Sequence, residues 1–277
     1  ESMNSAPYLL QKARWGYRLG DDQIVDSLLR DALHDPLDSS HMGMTAENLA
    51  AEFRISRREQ DEFAAESHRR AAEAIRAGRF TSEIVPVEMP QKKGPPQLFS
   101  SDEGPRPDTT VEVLAKLKPA FKPDGTVTAG NSSSINDGAA ALVLLSADEA
   151  KRRGVKPIAR IRSWASAGVE PSRMGYGPVP AVRTVLAKSG LKLSDMGVIE
   201  LNEAFAAQAL TVIRELTLDT NRTNINGGAI ALGHPVGASG ARIIVTLLHL
   251  MAARDTRYGL ATLCVGGGQG MAIIVER

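Results

Sequence analysis

The stretch Asn226-Gly227-Gly228-Ala229-Ile230-Ala231-Leu232-Gly233-His234-Pro235-Val236-Gly237-Ala238-Ser239-Gly240-Ala241-Arg242 sets five glycines around one histidine. Glycine reaches backbone angles that other residues avoid and lets other groups approach the chain closely. Pro235 restrains the backbone beside His234. Beyond Gly240 the apolar residues Ile243, Ile244, Leu247, Leu248 and Met251 recur at helical spacing. His234 therefore stands on a tight loop that feeds a helix N-terminus, a place suited to developing negative charge.

Two further stretches share this character. Asn202-Glu203-Ala204-Phe205-Ala206 follows the short apolar run Val198-Ile199-Glu200-Leu201 at a strand-to-helix turn. Cys264-Val265-Gly266-Gly267-Gly268-Gln269-Gly270 follows Gly259-Leu260-Ala261-Thr262-Leu263. An Asn, a His and a Cys thus each occupy a strand end or glycine-rich turn, where open α/β sheets build their sites.

From Pro157 the pattern alternates. Strands are predicted over 158–164, 198–201 and 223–226, and helices over 179–189, 204–216 and 240–254. A final hairpin pairs 259–264 with 271–276. Such alternation ending in a hairpin implies an α/β chain with a mixed sheet and helices on both faces. The N-terminal part, from Met3 to Lys118, reads as irregular and mostly helical. Ser56 and Glu59 form a capping box for a helix running through Phe63, Ala64, Ala71, Ala74 and Ile75 to a stop at Gly78. Residues 90–107 are rich in Pro, Gly, Lys and Ser and read as a surface loop. Residues 126–129 and 140–145 read as strands, the second apolar throughout like a central strand covered on both faces. Ser146 to Glu149 is another capping box, with its helix ending at Gly154.

These residues together resemble the thiolase family, enzymes that make or cleave 3-ketoacyl-CoA by Claisen chemistry. The resemblance spans the chain and rests on Asn202-Glu203-Ala204-Phe205, Gly233-His234-Pro235 and Cys264-Val265-Gly266-Gly267-Gly268. It extends to His41-Met42-Gly43 with Thr45-Ala46-Glu47, and to Gly130-Asn131 with Asn136-Asp137-Gly138-Ala139-Ala140. It implies a thiolase-like α/β fold of mixed sheets layered α-β-α-β-α, plus a mostly helical loop domain over about residues 4–118. Residues 1–154 correspond to the remainder of the N-terminal half and 155–277 to the C-terminal half. A Glu-Ser-Met segment like Glu1-Ser2-Met3 lies well inside the N-terminal half of thiolases, after their nucleophilic cysteine. The resemblance thus implies a chain without its first portion, whether that portion is undetermined, cleaved or carried on another chain.

Claisen condensation needs a thiol nucleophile, a base for a proton alpha to a thioester, and two oxyanion holes. By resemblance Cys264 is the acid/base, and the glycine-rich turn is expected to lower its pKa. The alternative is a small buried residue at a strand end. The resemblance has His234 keep the nucleophile as thiolate and donate to the thioester oxygen; a satisfied turn histidine is the competing reading. Asn202 would orient a water in the first oxyanion hole, or simply cap a helix. Gly266 would supply a backbone N–H to the second hole. Glu203 reads as structural or orienting, and His249 as structural. Ser133, Arg106, His41 and Met42 match coenzyme A contacts: the pantetheine arm, the adenine-phosphate end, and the pantetheine tunnel with the acyl pocket. The competing reading of Arg106 is a solvated loop charge. Val113 departs from the serine that relatives carry near the adenine.

Other function classes find less support. A net charge of +1 gives no reason to expect nucleic acid. No apolar run is long enough to span a membrane. Walker-type phosphate loops and metal-ligand spacings are lacking, so no resident cofactor or metal is expected, with coenzyme A as substrate and product. The single cysteine suits a reducing, cytoplasmic setting. Two readings compete with a CoA-dependent acetyltransferase assembled as a homodimer or homotetramer. One is a self-contained Cys-His-Asn hydrolase. The other is a catalytically incomplete fragment or structural subunit, because thiolases use two active-site cysteines.

Overall fold

The computed structural model describes residues 1–277. In chain order the elements are β1 (Tyr8–Leu10), β2 (Ile24–Asp26), α1 (Met42–Glu52), α2 (Arg57–Arg76), β3 (Val87–Met89), β4 (Gln97–Phe99), α3 (Val111–Leu114) and α4 (Ala147–Arg152). Then follow β5 (Arg160–Gly168), α5 (Pro178–Ser189), β6 (Met196–Leu201), α6 (Ala206–Leu216), α7 (Ala229–Leu232), α8 (Ser239–Ala253), β7 (Tyr258–Val265) and β8 (Gln269–Glu276).

The main sheet has the order β5-β8-β7-β6. Only β6 and β7 run parallel; β7–β8 is the terminal hairpin, and β5 pairs antiparallel with β8. Period-2 alternation divides its side chains between two cores. Ile199, Leu201, Leu260 and Ile274 pack against α5 and α6 through Val182, Val185, Ala209 and Val212. Val198, Ala261 and Val275 pack against α8 through Ile243, Leu247, Leu250 and Met251. The sheet is therefore covered on both faces, as the alternating pattern requires.

Upstream, α1, α2 and α3 carry most of the regular structure. The capping box of α2 forms as read: Ser56 Oγ accepts from Glu59 N, and Glu59 Oε2 accepts from Ser56 N at 2.7 Å. Two short ribbons, β1–β2 and β3–β4, complete this region. The second lies partly within the segment read as a plain loop.

Three expected strands do not form. Residues 126–129 are buried at Val127 and Thr128, but a side chain replaces the ladder: the Glu47 carboxylate accepts from the N–H groups of both Thr126 and Val127 at 2.8 Å. Residues 140–145 have strand composition without a strand beside them to supply hydrogen bonds. They lie open, with Val143 90% exposed. Residues 223–226 form one backbone bridge with β6, Thr223 to Ile199, and beyond it the Asn224 side chain takes the place of a ladder, accepting from Leu201 N at 2.8 Å and donating to Leu201 O at 2.7 Å. The chain then turns away at Asn224, φ 47°, and Gly227, φ 81°.

Candidate active site

Because β6 and β7 are parallel neighbours, with Leu201 opposite Thr262, their C-terminal ends open at one edge of the sheet. Asn202 follows the first and Cys264 ends the second. The Asn202 backbone N–H donates to Thr262 O at 3.0 Å, extending the pairing one residue past β6. Its side chain does not cap α6, whose N-cap is Phe205 without a side-chain bond. Instead Asn202 Nδ2 lies 3.3 Å from His234 Nε2. Its Oδ1 is buried and has no partner.

His234 arrives from the glycine loop. Gly233 adopts φ 97°, and a Cβ there would collide with the Asn136 side chain. That side chain is close for a reason: Asn136 Oδ1 accepts from His234 N at 3.1 Å and pins the loop. On the other side of the ring, Nδ1 lies 2.6 Å from Ser239 Oγ, and the Ser239 hydroxyl donates to Pro235 O at 2.9 Å. An amide nitrogen can only donate, so Nε2 is the accepting nitrogen and the neutral ring carries its proton on Nδ1. Burial, reinforced by the Arg242 charge, pushes the His234 pKa down to about 4. The ring is thus neutral at pH 7, with a lone pair on Nε2. Ser239, five residues after the histidine, becomes recognisable as its partner only once the loop is folded.

Cys264 is buried with Met42, Ala204 and Phe205. Burial pushes its pKa up to about 12, the opposite of the lowering expected from the glycine turn. Desolvation exceeds the influence of nearby backbone dipoles, so the resting group is a thiol. No hydrogen bond joins Cys264 to His234, whose ring nitrogens meet Asn202 Nδ2 and Ser239 Oγ. Beyond Cys264 the hairpin turns through Gly267 and Gly268, both in the left-handed region. The Gly266 N–H is left without an intramolecular partner. Asp35, 1% exposed, holds this turn: Oδ2 accepts from Gly267 N at 2.7 Å, and Oδ1 from Leu37 N at 2.9 Å. No local signal marks Asp35, because its partner is 232 residues away.

The expected coenzyme A contacts divide. His41 caps α1 through Nδ1, which accepts from Gly43 N at 3.0 Å, and stacks on Phe121 at 4.6 Å. Met42 packs in the Cys264 cluster. Ser133 lies against the 202–205 turn, its N–H and its hydroxyl both donating to Ala204 O at 3.0 Å. Arg106 is exposed on the 90–107 segment, and its guanidinium makes no ion pair or hydrogen bond. Its backbone N–H donates to His68 Nδ1. Glu203 is structural: its carboxylate accepts from Ser67 Oγ, Asn224 Nδ2 and Ile230 N, tying α2 to the turns around β6 and α7. His249 bonds Ser82 on the surface.

Comparison with known proteins places this arrangement in a family. Residues 1–148 match the thiolase N-terminal domain and residues 155–277 the thiolase C-terminal domain. Over 277 residues the chain is 57% identical to an acetyl-CoA acetyltransferase of Pseudomonas aeruginosa, covering all of this chain and 70% of that protein. An acetyl-CoA acetyltransferase of Escherichia coli is also 57% identical, with the same coverage. The solved acetyl-CoA acetyltransferase of Bacillus anthracis superposes with a TM-score of 0.96 at 49% identity, over 100% of this chain and 70% of that one. Human mitochondrial 3-ketoacyl-CoA thiolase in complex with CoA superposes at 0.91 with 47% identity, over 99% and 68%. The chain belongs to the thiolase family and has its α/β fold.

Proposed function

We propose that this chain carries the acid/base half of an acetyl-CoA C-acetyltransferase site, working on acetyl-CoA and 3-ketoacyl-CoA by ping-pong acyl transfer. The observation that supports this most is the shared sheet edge. It brings Cys264, the free Gly266 N–H and the Asn202–His234 contact to the ends of two adjacent parallel strands.

The nucleophile in this reading is a second cysteine upstream of residue 1. His234 Nε2 accepts its proton as it attacks the acetyl thioester, and the imidazolium then donates Nε2–H to a thioester oxygen. The Cys264 thiol protonates the departing CoA sulfur and becomes a thiolate. That thiolate removes the alpha proton of the second acetyl-CoA and is a thiol again; the resulting carbanion attacks the acetyl-cysteine carbonyl, the upstream cysteine leaves as a thiolate and takes its proton back from the His234 imidazolium, and acetoacetyl-CoA is formed. A thiol held at about 12 is the form the first of these steps requires. Asn202 Oδ1, buried without a partner, is an acceptor for a water in the first oxyanion hole. Gly266 N–H serves the second. Ser133, His41 and Met42 line the pantetheine and acyl path, and Arg106 meets the nucleotide end. Assembly as a dimer or tetramer belongs to the same reading.

The test is made on the protein extended to the relatives' length. Cys264→Ala should take up radiolabel from acetyl-CoA yet form no acetoacetyl-CoA. Formation of acetoacetyl-CoA by that variant at the parent rate would remove the acid/base assignment. The 277-residue chain alone should release no CoA; if it does, no upstream nucleophile is needed.

A further inference from the structure

The Gly266 N–H sits in the turn between β7 and β8, outside the ladder that pairs those strands. The far side of the turn is anchored to the body of the protein. Gly268 O accepts from Val169 N at 2.7 Å, and a side chain at Gly268 would strike Val169 O. The near side hangs on one peptide unit, the one joining Gly266 to Gly267. Its carbonyl accepts from Gln269 Nε2 at 2.9 Å, and its N–H donates to Asp35 Oδ2 at 2.7 Å. The Gln269 bond is exposed and comes from the turn itself. The Asp35 bond ties the peptide to a buried side chain on a distant part of the chain.

Asp35 is itself held in place. It opens a loop closed by the His34–His41 backbone bridge. Its N–H donates to Ser40 O and its carbonyl accepts from Ser39 N, both at 2.8 Å. Its second carboxylate oxygen accepts from Leu37 N at 2.9 Å. A carboxylate suits this place because it has two acceptor oxygens and no donor. The amide of asparagine has one acceptor and an NH2 that would face the second N–H. At its other end the loop runs into His41 and Met42, and Met42 Cε packs over Gly266. The 34–42 segment therefore grips the turn at two points, a buried hydrogen bond and an apolar contact.

We propose that Asp35 is a positioning residue for the second oxyanion hole: its carboxylate fixes the 266–267 peptide and with it the direction of the Gly266 N–H. An oxyanion donor works only when aimed at the place where charge develops, and a displacement of about 1 Å costs up to about a hundredfold. The proposal rests on Gly266 being that donor. Crystallography and acylation kinetics together separate failure of the one from failure of the other.

The experiment uses the protein extended to the relatives' length, with Asp35→Asn as the main variant. Single-turnover acylation by labelled acetyl-CoA should slow about 10- to 100-fold at saturation, with the half-saturating concentration moved less than about threefold. A merely structural role would lower the fraction of molecules that take up label and leave the rate constant unchanged. Crystals of the variant should show Gly266 N displaced by about 0.5–1 Å from its place in the parent. Asp38→Ala removes two bonds to Ser40 in the same loop without touching the turn. That variant should acylate within about twofold of the parent. Asp35→Ala and Asp35→Ser repeat the test should the asparagine variant fail to fold. Acylation at the parent rate with the turn in place would overturn the proposal and leave Gly266 its role. Acylation at the parent rate with the turn displaced would remove the Gly266 assignment, and the proposal with it. Slowed acylation around an unmoved turn would also overturn the proposal. So would an Asp38 variant as slow as Asp35→Asn, since loosening of the loop would then be enough.

Discussion

Replacing Ser239 by alanine tests the tautomer of His234 directly. The Ser239 hydroxyl accepts from Nδ1–H at 2.6 Å and donates its own hydrogen bond to Pro235 O at 2.9 Å. A hydrogen bond of this kind contributes about 1–1.5 kcal/mol net, so its loss shifts the balance between Nδ1–H and Nε2–H rings about five- to tenfold towards Nε2–H. The helix should be little affected, because alanine is a good helix former. Long-range nitrogen NMR at pH 7 should show a predominantly Nδ1–H ring in the parent chain and a mixed or Nε2–H ring in Ser239→Ala. Urea unfolding should show a loss of about 1–2 kcal/mol from the same hydroxyl. In the protein extended to full length, acylation should slow in proportion to the fraction of rings that lose the unprotonated Nε2, about twofold for an evenly mixed ring and at most five- to tenfold, since only an unprotonated Nε2 takes a proton from a thiol. An unchanged tautomer in a variant that loses the expected stability would refute the reasoning, because the bond would then be structural only.

Three other outcomes are expected. Glu200 is pushed from 4.5 up to about 8 in the folded chain, so its contribution favours folding below pH 4.5 and is lost as pH rises through 8. Glu200→Gln should gain stability over the parent by roughly 1.4 kcal/mol per pH unit across that window, read from urea midpoints at several pH values. Asp35→Ala should release the Gly267 amide: its hydrogen exchange should quicken at least tenfold, on the order of the lost 1–3 kcal/mol bond to a charged acceptor, while amides in α5 stay protected. Buried and held as a thiol at about 12, Cys264 should resist iodoacetamide at pH 8 in the native chain and react promptly in urea. Rapid native alkylation, followed by mass spectrometry, would contradict the burial.

Much of the C-terminal half was legible because its signals are local. The apolar spacing of α8, the closure of α5 by Gly190 and the run of β6 before Asn202 are short-range patterns, and the structure keeps each within two residues or so. Residues 158–164 were read as a strand, and β5 lies at 160–168, displaced but in the expected place in the order. The α2 capping box has its two partners three residues apart and formed as read. The family was legible for a related reason: each motif is a contiguous turn whose residue types are dictated by backbone shape and chemistry together.

Tertiary structure decided what depends on distant partners. The apolar run 140–145 specifies a strand only if another strand lies beside it, and none in the chain does. Residues 126 and 127 gave their N–H groups to Glu47, some 80 residues away, in place of a ladder. The bonds from Asp35 to Gly267 and from Asn136 to His234 cross the chain in the same way. The charge states of Cys264, Glu200 and His234 likewise follow from burial, which a list of neighbours in sequence does not contain. Sequence alone determined which residues could perform acyl-transfer chemistry and the local turns that present them. The fold determined which nitrogen of His234 is free and that Cys264 rests as a thiol, because hydrogen bonding and desolvation are set by groups that meet only after the chain has closed on itself.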